Sequence, residues 1–470
     1  MHASAPPPTS TTTDWQALTS PRRLPGLSAH GQAMLRRLRE HPAAPCFRDM
    51  SGHRLGTSLR WQALFRQPWL LHAPVSSGTP PAWVWPWLLA NRHNVADWPD
   101  WRTLSRGWHH VRTTCRADLS SHLIRHVSRR HVQRPGTNEP LLCFSTSGTT
   151  GHPLRVPSSP LAAAAYAVLH ERALRLHGVR TQAGRGDVGI VLVGFQQRCF
   201  TYVSVNPMRG ECGLAKVNLH PGEWRQPADR ATYLDAMAPE LISGDPVSLS
   251  ELATLALRHR PRAMLSTSMA MSEGLRSRLS AHFGCPVVDL YSMNEAGPIA
   301  AHVPELDAFV LLQPGLHVEV LDDKGRPVPT GERGEVTLTG GINPCLPLLR
   351  YRTGDHARLV WTPLGPALRD LQGRPPVSFQ HADGSWVNNV ELSQRLRHLD
   401  LQRHALHQHS DRSLVLRLQS DAPDIAAVHT TIRQILRELL GELPLRIEAL
   451  VADDKVRQYT SDLKPPHVLA

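Results

Sequence analysis

Residues 141–178 allow only one local order: a short strand, a loop rich in glycine and hydroxyls, and a helix. Leu141–Phe144 is an apolar run of strand length. Ser145 to Pro153 follow, holding two glycines and five Ser or Thr side chains. Then Ser159-Pro160 offers a polar cap and a proline at the first helical position, and Gly178 closes the apolar-rich stretch Leu161–His177. The same alternation continues downstream. Val188–Val193, Ala263–Ser266 and Val287–Tyr291 read as strands, and Glu273–Phe283 reads as a helix ending at Gly284. After Phe309 the period changes: His317–Leu321 and Gly334–Thr339 alternate around an Asp323-Lys324-Gly325 turn, which predicts antiparallel β structure. Gly373-Arg374-Pro375-Pro376 is a breaker, and beyond it Leu414–Leu418, Ile425–Leu440 and Leu445–Val451 read as strand, amphipathic helix and strand.

The expected fold is therefore α/β: a large multi-layer N-terminal domain with mixed β-sheets and flanking helices, followed by a small α+β C-terminal domain. The first 30 residues, rich in Pro, Ser and Thr, are expected to form a disordered tail. Six tryptophans between Trp83 and Trp108 are expected to fill core rather than to form a surface platform.

Four segments carry groups suited to nucleotide chemistry. In the loop Ser145-Thr146-Ser147-Gly148-Thr149-Thr150-Gly151, glycines let backbone N–H groups point inward and hydroxyls add donors, making a nest for phosphate oxygens. It is not a Walker A loop, because Gly151 is followed by His152-Pro153 rather than by Lys and Ser or Thr. Glu295 follows a strand end, where α/β sheets present ligand-binding groups, and magnesium on a triphosphate needs only one or two protein carboxylates. Asp355, in Arg350-Tyr351-Arg352-Thr353-Gly354-Asp355, could accept hydrogen bonds from both hydroxyls of a ribose. Near the C-terminus, Lys455 is a mobile point charge suited to a charged oxygen at a reaction centre. Taken singly, each has a plainer reading as a mobile turn, a solvated carboxylate, a surface ion pair or an exposed lysine.

Other features bound the function. No apolar run approaches the roughly 18 to 20 residues that span a bilayer, and residues 1–13 lack the basic and apolar regions of a secretory signal, so the expectation is a soluble cytoplasmic protein without a membrane partner. The formal charge of +12 favours anionic partners such as nucleotides and coenzyme A. Arginine is spread along the chain and no nucleic-acid module is readable, so no nucleic-acid partner is expected. Seven scattered cysteines include no C-x-x-C pair, and a metal held by Cys199, Cys212 and His220 is not expected.

In this order the segments resemble the adenylate-forming superfamily of acyl-CoA synthetases, peptide-synthetase adenylation domains and luciferases. STSGTTGHP is similar to its phosphate loop, YSMNEAGP to its Tyr-x-x-x-Glu segment, RYRTGD to its ribose-binding segment and LQGRPP to its hinge. The match covers roughly residues 105–465 and looks most like the phenylacetate-CoA ligase and capsule-synthesis-related branch. The resemblance implies an AMP-binding domain over 31–372 and a mobile domain over 373–470 that meet at the active site. It implies that Ser145, Thr146, Ser147, Gly148, Thr149, Thr150 and Gly151 hold phosphates, and that Glu295 binds magnesium. Tyr291 would lie against adenine, with Asn294 beside it; Asp355 would bind ribose and Arg374 would touch the nucleotide. Lys455 would bridge the carboxylate and the α-phosphate. The implied activity is ATP-dependent activation of a small carboxylic acid to an acyl-adenylate, then transfer to coenzyme A, with a carrier protein or an amine as alternative acceptor and a non-catalytic nucleotide-binding member as the other reading. Residues of the acyl pocket are expected between Gly194 and Ser292. The chain departs from the family at His152, Leu154, Asn294 and Pro375-Pro376. The prolines fix φ near −65°, so any rotation falls to Gln372 or Gly373.

Overall fold

The computed structural model describes residues 12–132, 141–145, 154–195, 199–373, 377–396, 399, 401, 403–420, 422, 424–450 and 458–463. A single large sheet runs through most of them. Cys212–Asn218, Val188–Gly194, Leu241–Gly244, Ala263–Ser266 and Val287–Met293 lie side by side in parallel. Their sequences explain this, because parallel strands are covered on both faces and read as continuous apolar runs. Leu241–Gly244 and Ala263–Ser266 are buried at every position.

At Val287–Met293 the direction changes. Gly297–Val303 folds back on it, and Ala308–Leu311, Gly365–Gly373, Leu348–Thr362, Arg333–Gly340 and Leu316–Leu321 continue the sheet antiparallel. The last two are joined at the expected turn, where the Gly325 N–H donates to Asp322 O at 3.0 Å and Gly325 adopts a φ of 74°.

Helix Pro160–Arg175 begins as expected, with Ser159 accepting from the Leu161 N–H at 3.1 Å. Its Leu169, Ala173 and Leu174 are buried against Leu265 and Val288 of the sheet. Helix Glu273–Phe283 is capped by Ser272 and stopped by Gly284 at a φ of 65°. The tryptophan-rich segment is mostly core: Trp83, Trp87 and Trp98 pack around buried Val84, Leu88, Leu104 and Trp108, while Trp85 is exposed.

The expectation of a disordered tail through residue 30 is corrected for the residues described. Thr12–Leu18 and Ala29–Glu40 are helical, and Leu18 and Leu24 belong to the main core with Val203 and Val205. Arg23 is buried and donates to Leu18 O at 2.7 Å and Val203 O at 2.8 Å. These leucines and the arginine's carbonyl partners offset the polar composition that made the segment look unable to pack.

The C-terminal unit has its own small sheet in the order Leu445–Ala449, Leu414–Gln419, Arg403–Gln408, Tyr459–Ser461. Helix Ile425–Leu440 places Ile432, Leu436 and Leu440 on it, around a core with Phe379, Leu406 and Leu416. This is the α+β pattern read from the sequence. Among the described residues no helix is long and apolar enough to cross a membrane.

Candidate active site

Tyr291 and Glu295 lie on and just after strand Val287–Met293, at the point where the sheet turns from parallel to antiparallel; Asp355 lies on Leu348–Thr362. Three strands separate these two in the sheet order, a distance of about 19 Å if the sheet were flat. They nevertheless touch. The Tyr291 hydroxyl donates to Asp355 Oδ2 at 2.7 Å, and the Tyr351 hydroxyl donates to Glu295 Oε1 at 3.2 Å. The antiparallel half must therefore curl, and this reciprocal pair of hydrogen bonds locks segment 291–295 to segment 351–355.

Each carboxylate is set in a distinct environment. Glu295 is 5% exposed, just before Gly297, whose φ of 75° lets the hairpin close, and Arg116 Nη1 stands 3.8 Å from its Oε1. Burial, and next the charge of Glu295, push the Tyr351 phenol above its ordinary range, so it remains a hydrogen-bond donor. Tyr291 is shifted the same way by burial and then by Asp355. Tyr166, on the helix that follows the loop, is pushed up to about 12 by burial and by Glu295. Asp355 is held by its own turn: its N–H donates to Thr353 Oγ1 at 3.0 Å, the Thr353 hydroxyl donates to Val336 O at 2.9 Å, and the Gly354 N–H donates to Glu335 Oε1 at 2.9 Å. Across the ladder Asp355 faces Gly373, where an added Cβ would lie 3.3 Å from Asp355 Oδ1.

The hydroxyl-rich loop leaves and re-enters the fold beside this site. Leu142–Ser145 pairs antiparallel with Arg155–Ser158, bringing Ser145 opposite Arg155. Phe144, Leu154 and Val156 share a core cluster with Tyr291, Ala296 and Tyr351, and Asn343 Nδ2 donates to Pro157 O at 2.9 Å. Thr146, Ser147, Gly148, Thr149, Thr150 and Gly151, together with Arg374 and Lys455, lie outside the described residues. Asn294 is exposed at the tip of the hairpin.

Sequence reasoning missed Tyr351, Arg116 and Tyr166. Tyr351 stands inside the RYRTGD segment, and its signal was an aromatic between two arginines in a strand. Arg350 turns out to be structural. It is 1% exposed, packs over the Trp108 ring at 5.6 Å, and pairs with buried Glu319 at 3.4 Å. A bulge opposite Thr339 and a φ of 41° at Arg350 break the alternation, so Arg350 and Tyr351 are buried in succession.

A cavity of about 410 Å³ has Trp69, Trp83, Trp87, Val168 and Ile342 among its walls, and neither Glu295 nor Asp355 lines it. Only Asn206, Met208 and Arg209 of its lining fall within the 194–292 range expected for the acyl pocket. Cys199, Cys212 and His220 form no metal-holding group among the described residues.

Comparison with known proteins bears on the family and the fold. Residues 94–343 match the family model described as AMP-binding enzyme. The chain is 23% identical over 261 residues to phenylacetate-coenzyme A ligase of Aromatoleum evansii, covering 53% of this chain and 56% of that protein. It is 27% identical over 258 residues to an uncharacterized protein of Pseudomonas aeruginosa, covering 49% and 38%. It thus spans about half or less of the length of these curated relatives. The fold is similar to that of 2-hydroxyisobutyryl-CoA ligase in the postadenylation state in complex with 2-HIB-AMP, with a TM-score of 0.57, 18% identity and 94% and 92% of the two chains covered. With the family model matching more than half of its length, the chain belongs to the AMP-binding enzyme family.

Proposed function

We propose that the protein activates a small carboxylic acid with ATP and passes the acyl group to a thiol, with coenzyme A as the first choice. The observation that carries this reading is the reciprocal bonding of Tyr291 to Asp355 and Tyr351 to Glu295, which gathers two carboxylates beside the base of the hydroxyl-rich loop. In this reading Asp355 accepts the ribose hydroxyls, Tyr291 lies against adenine, and Ser145 to Gly151 hold the phosphates. The 5% exposed Glu295 carboxylate suits a hard cation that takes most of its ligands from phosphates and water. Bound there, magnesium would neutralise phosphate charge.

The acid's carboxylate oxygen bonds to the α-phosphorus as the bond to the bridging oxygen breaks and pyrophosphate leaves. Lys455 offsets charge at the entering and bridging oxygens, so catalysis is positioning and electrostatics rather than covalent bonding to the protein. A thiolate then attacks the acyl carbon and AMP departs. Residues 31–372 act as the nucleotide-binding unit and 373–470 as the moving one.

The test is pyrophosphate exchange with a panel of carboxylic acids, followed by a search for the coenzyme A ester. Acid-dependent exchange and ester formation are expected. ATP binding with no exchange on any acid would overturn the enzymatic reading. Exchange without the ester would move the acceptor to a carrier-protein thiol or an amine.

A further inference from the structure

The C-terminal sheet carries a cluster of ligating side chains that the proposed reaction does not use. Strand Arg403–Gln408 pairs in parallel with Tyr459–Ser461, His407 opposite Thr460 and Gln408 opposite Ser461. The Asp462 N–H then donates to Gln408 O at 2.9 Å, holding Asp462 beside the end of the neighbouring strand. His407 and His409 are two residues apart, a spacing that puts side chains of an extended segment on one face. Their rings meet edge to face with centroids 4.4 Å apart.

From these elements we infer that His407, His409 and Asp462 form a binding site for a divalent transition-metal ion of the zinc class. One ligand atom from each lies within 4.8 Å of the others. Asp462 Oδ2 is 3.5 Å from His407 Nε2 and 3.8 Å from His409 Nδ1. A tetrahedral ion with bonds of about 2.0–2.1 Å keeps its ligand atoms roughly 3.3 Å apart, so the two Asp462 distances need contract by only a few tenths of an ångström and the two imidazole nitrogens by at most about 1.5 Å, within reach of side-chain rotation.

The orientation of His407 is also that of a metal ligand. Its Nδ1 lies 2.9 Å from Thr460 Oγ1. The tautomer that donates from Nδ1 to this hydroxyl leaves the Nε2 lone pair directed at Asp462, which is the outer hydrogen bond that fixes a ligating imidazole. Two imidazoles and one carboxylate match zinc-class ions better than magnesium or calcium, which prefer oxygen. The side chains are 31%, 45% and 49% exposed, so the fourth position faces water. Bound metal would tie strand Tyr459–Ser461 to its neighbour, because the ligands come from both sides of that pairing.

The test uses the full chain, freed of any affinity tag and of metal, titrated with cobalt(II) and then zinc. One equivalent of cobalt is expected to give the visible bands of a tetrahedral site, zinc should displace it, and zinc should raise the unfolding temperature. His407→Ala and His409→Ala should each abolish the cobalt bands. Thr460→Val, which touches no metal, should weaken zinc binding about 10- to 100-fold. Should either histidine variant fail to fold, Asp462→Asn provides the same test with the side-chain shape kept. Cobalt bands or zinc stoichiometry unchanged in the ligand variants would overturn the proposal, as would a wild-type chain that takes up no equivalent of either ion.

Discussion

At the scale of single residues, charge in this protein falls into two groups with opposite duties. Glu295 and Asp355 are each met by a tyrosine hydroxyl, whereas Arg350 and Glu319 are sealed in the core beside Trp108. The distinction sets two predictions. Lys455→Ala is expected to slow acid-dependent pyrophosphate exchange by on the order of 10² to 10³, as removal of a preorganised charge does elsewhere, with the unfolding midpoint unchanged. Near-normal exchange in that variant would remove Lys455 from the reaction. Glu319→Leu is expected to act on stability instead. It leaves the buried Arg350 charge without a carboxylate and the Trp108 N–H without its acceptor, at a cost of about 3–5 kcal/mol by urea denaturation, and Arg350→Met in the same chain should return most of that loss. The sequence showed RYRTGD as one charged motif. It could not show that a bulge turns Arg350 into the core while Asp355 stays at the site, because Thr339 and Glu319, the groups that settle Arg350, lie one and two strands away in the sheet.

Secondary-structure elements were legible where a local pattern sufficed. The helix from Pro160 carried its cap, its first-turn proline and its closing glycine in the sequence, and strands Leu316–Leu321 and Arg333–Gly340 carried their alternation and turn. Residues 12–30 were not legible. Leu18 and Leu24 have no helical or strand period between them, and the buried Arg23 donates to a carbonyl 180 residues away. Leu24→Ala should therefore behave as a core truncation, lowering stability by about 2–5 kcal/mol; a loss under half a kcal/mol would show that the segment is peripheral. The site was legible only in part for the same reason. Tyr291, Glu295 and Asp355 stand in recognisable segments, but their meeting depends on the curl of the sheet, and Arg116 and Tyr166 come from elements with no motif of their own.

Over the whole molecule, buried histidines set the response to acid. Burial lowers His170, His317 and His404 to about 4 and His53 to about 3, from an ordinary value of 6.5. The unfolded chain takes up these protons first, so the stability they contribute is full above about pH 6.5 and is lost as pH falls toward 4. Asp289 opposes this. Burial raises it to about 7, so its contribution falls as pH rises from the ordinary 3.8 toward 7. Burial raises Glu319 in the same sense, but four histidines outweigh two carboxylates, and unfolding free energy measured by urea titration is expected to decline between pH 6.5 and 4. His404→Phe should flatten that decline, and an unaltered slope would locate the effect in other groups.

Gly373 is the ladder partner of Asp355 and immediately precedes Arg374 and two prolines in the sequence. Prolines resist twisting, so torque from the C-terminal unit would be relieved first at the rung that Asp355 shares. On the proposed function, a swing of that unit and the grip on a sugar would then be one mechanical event. Stiffening the backbone by Gly373→Ala, which also crowds Asp355 Oδ1, is expected to change nucleotide affinity and acyl transfer together.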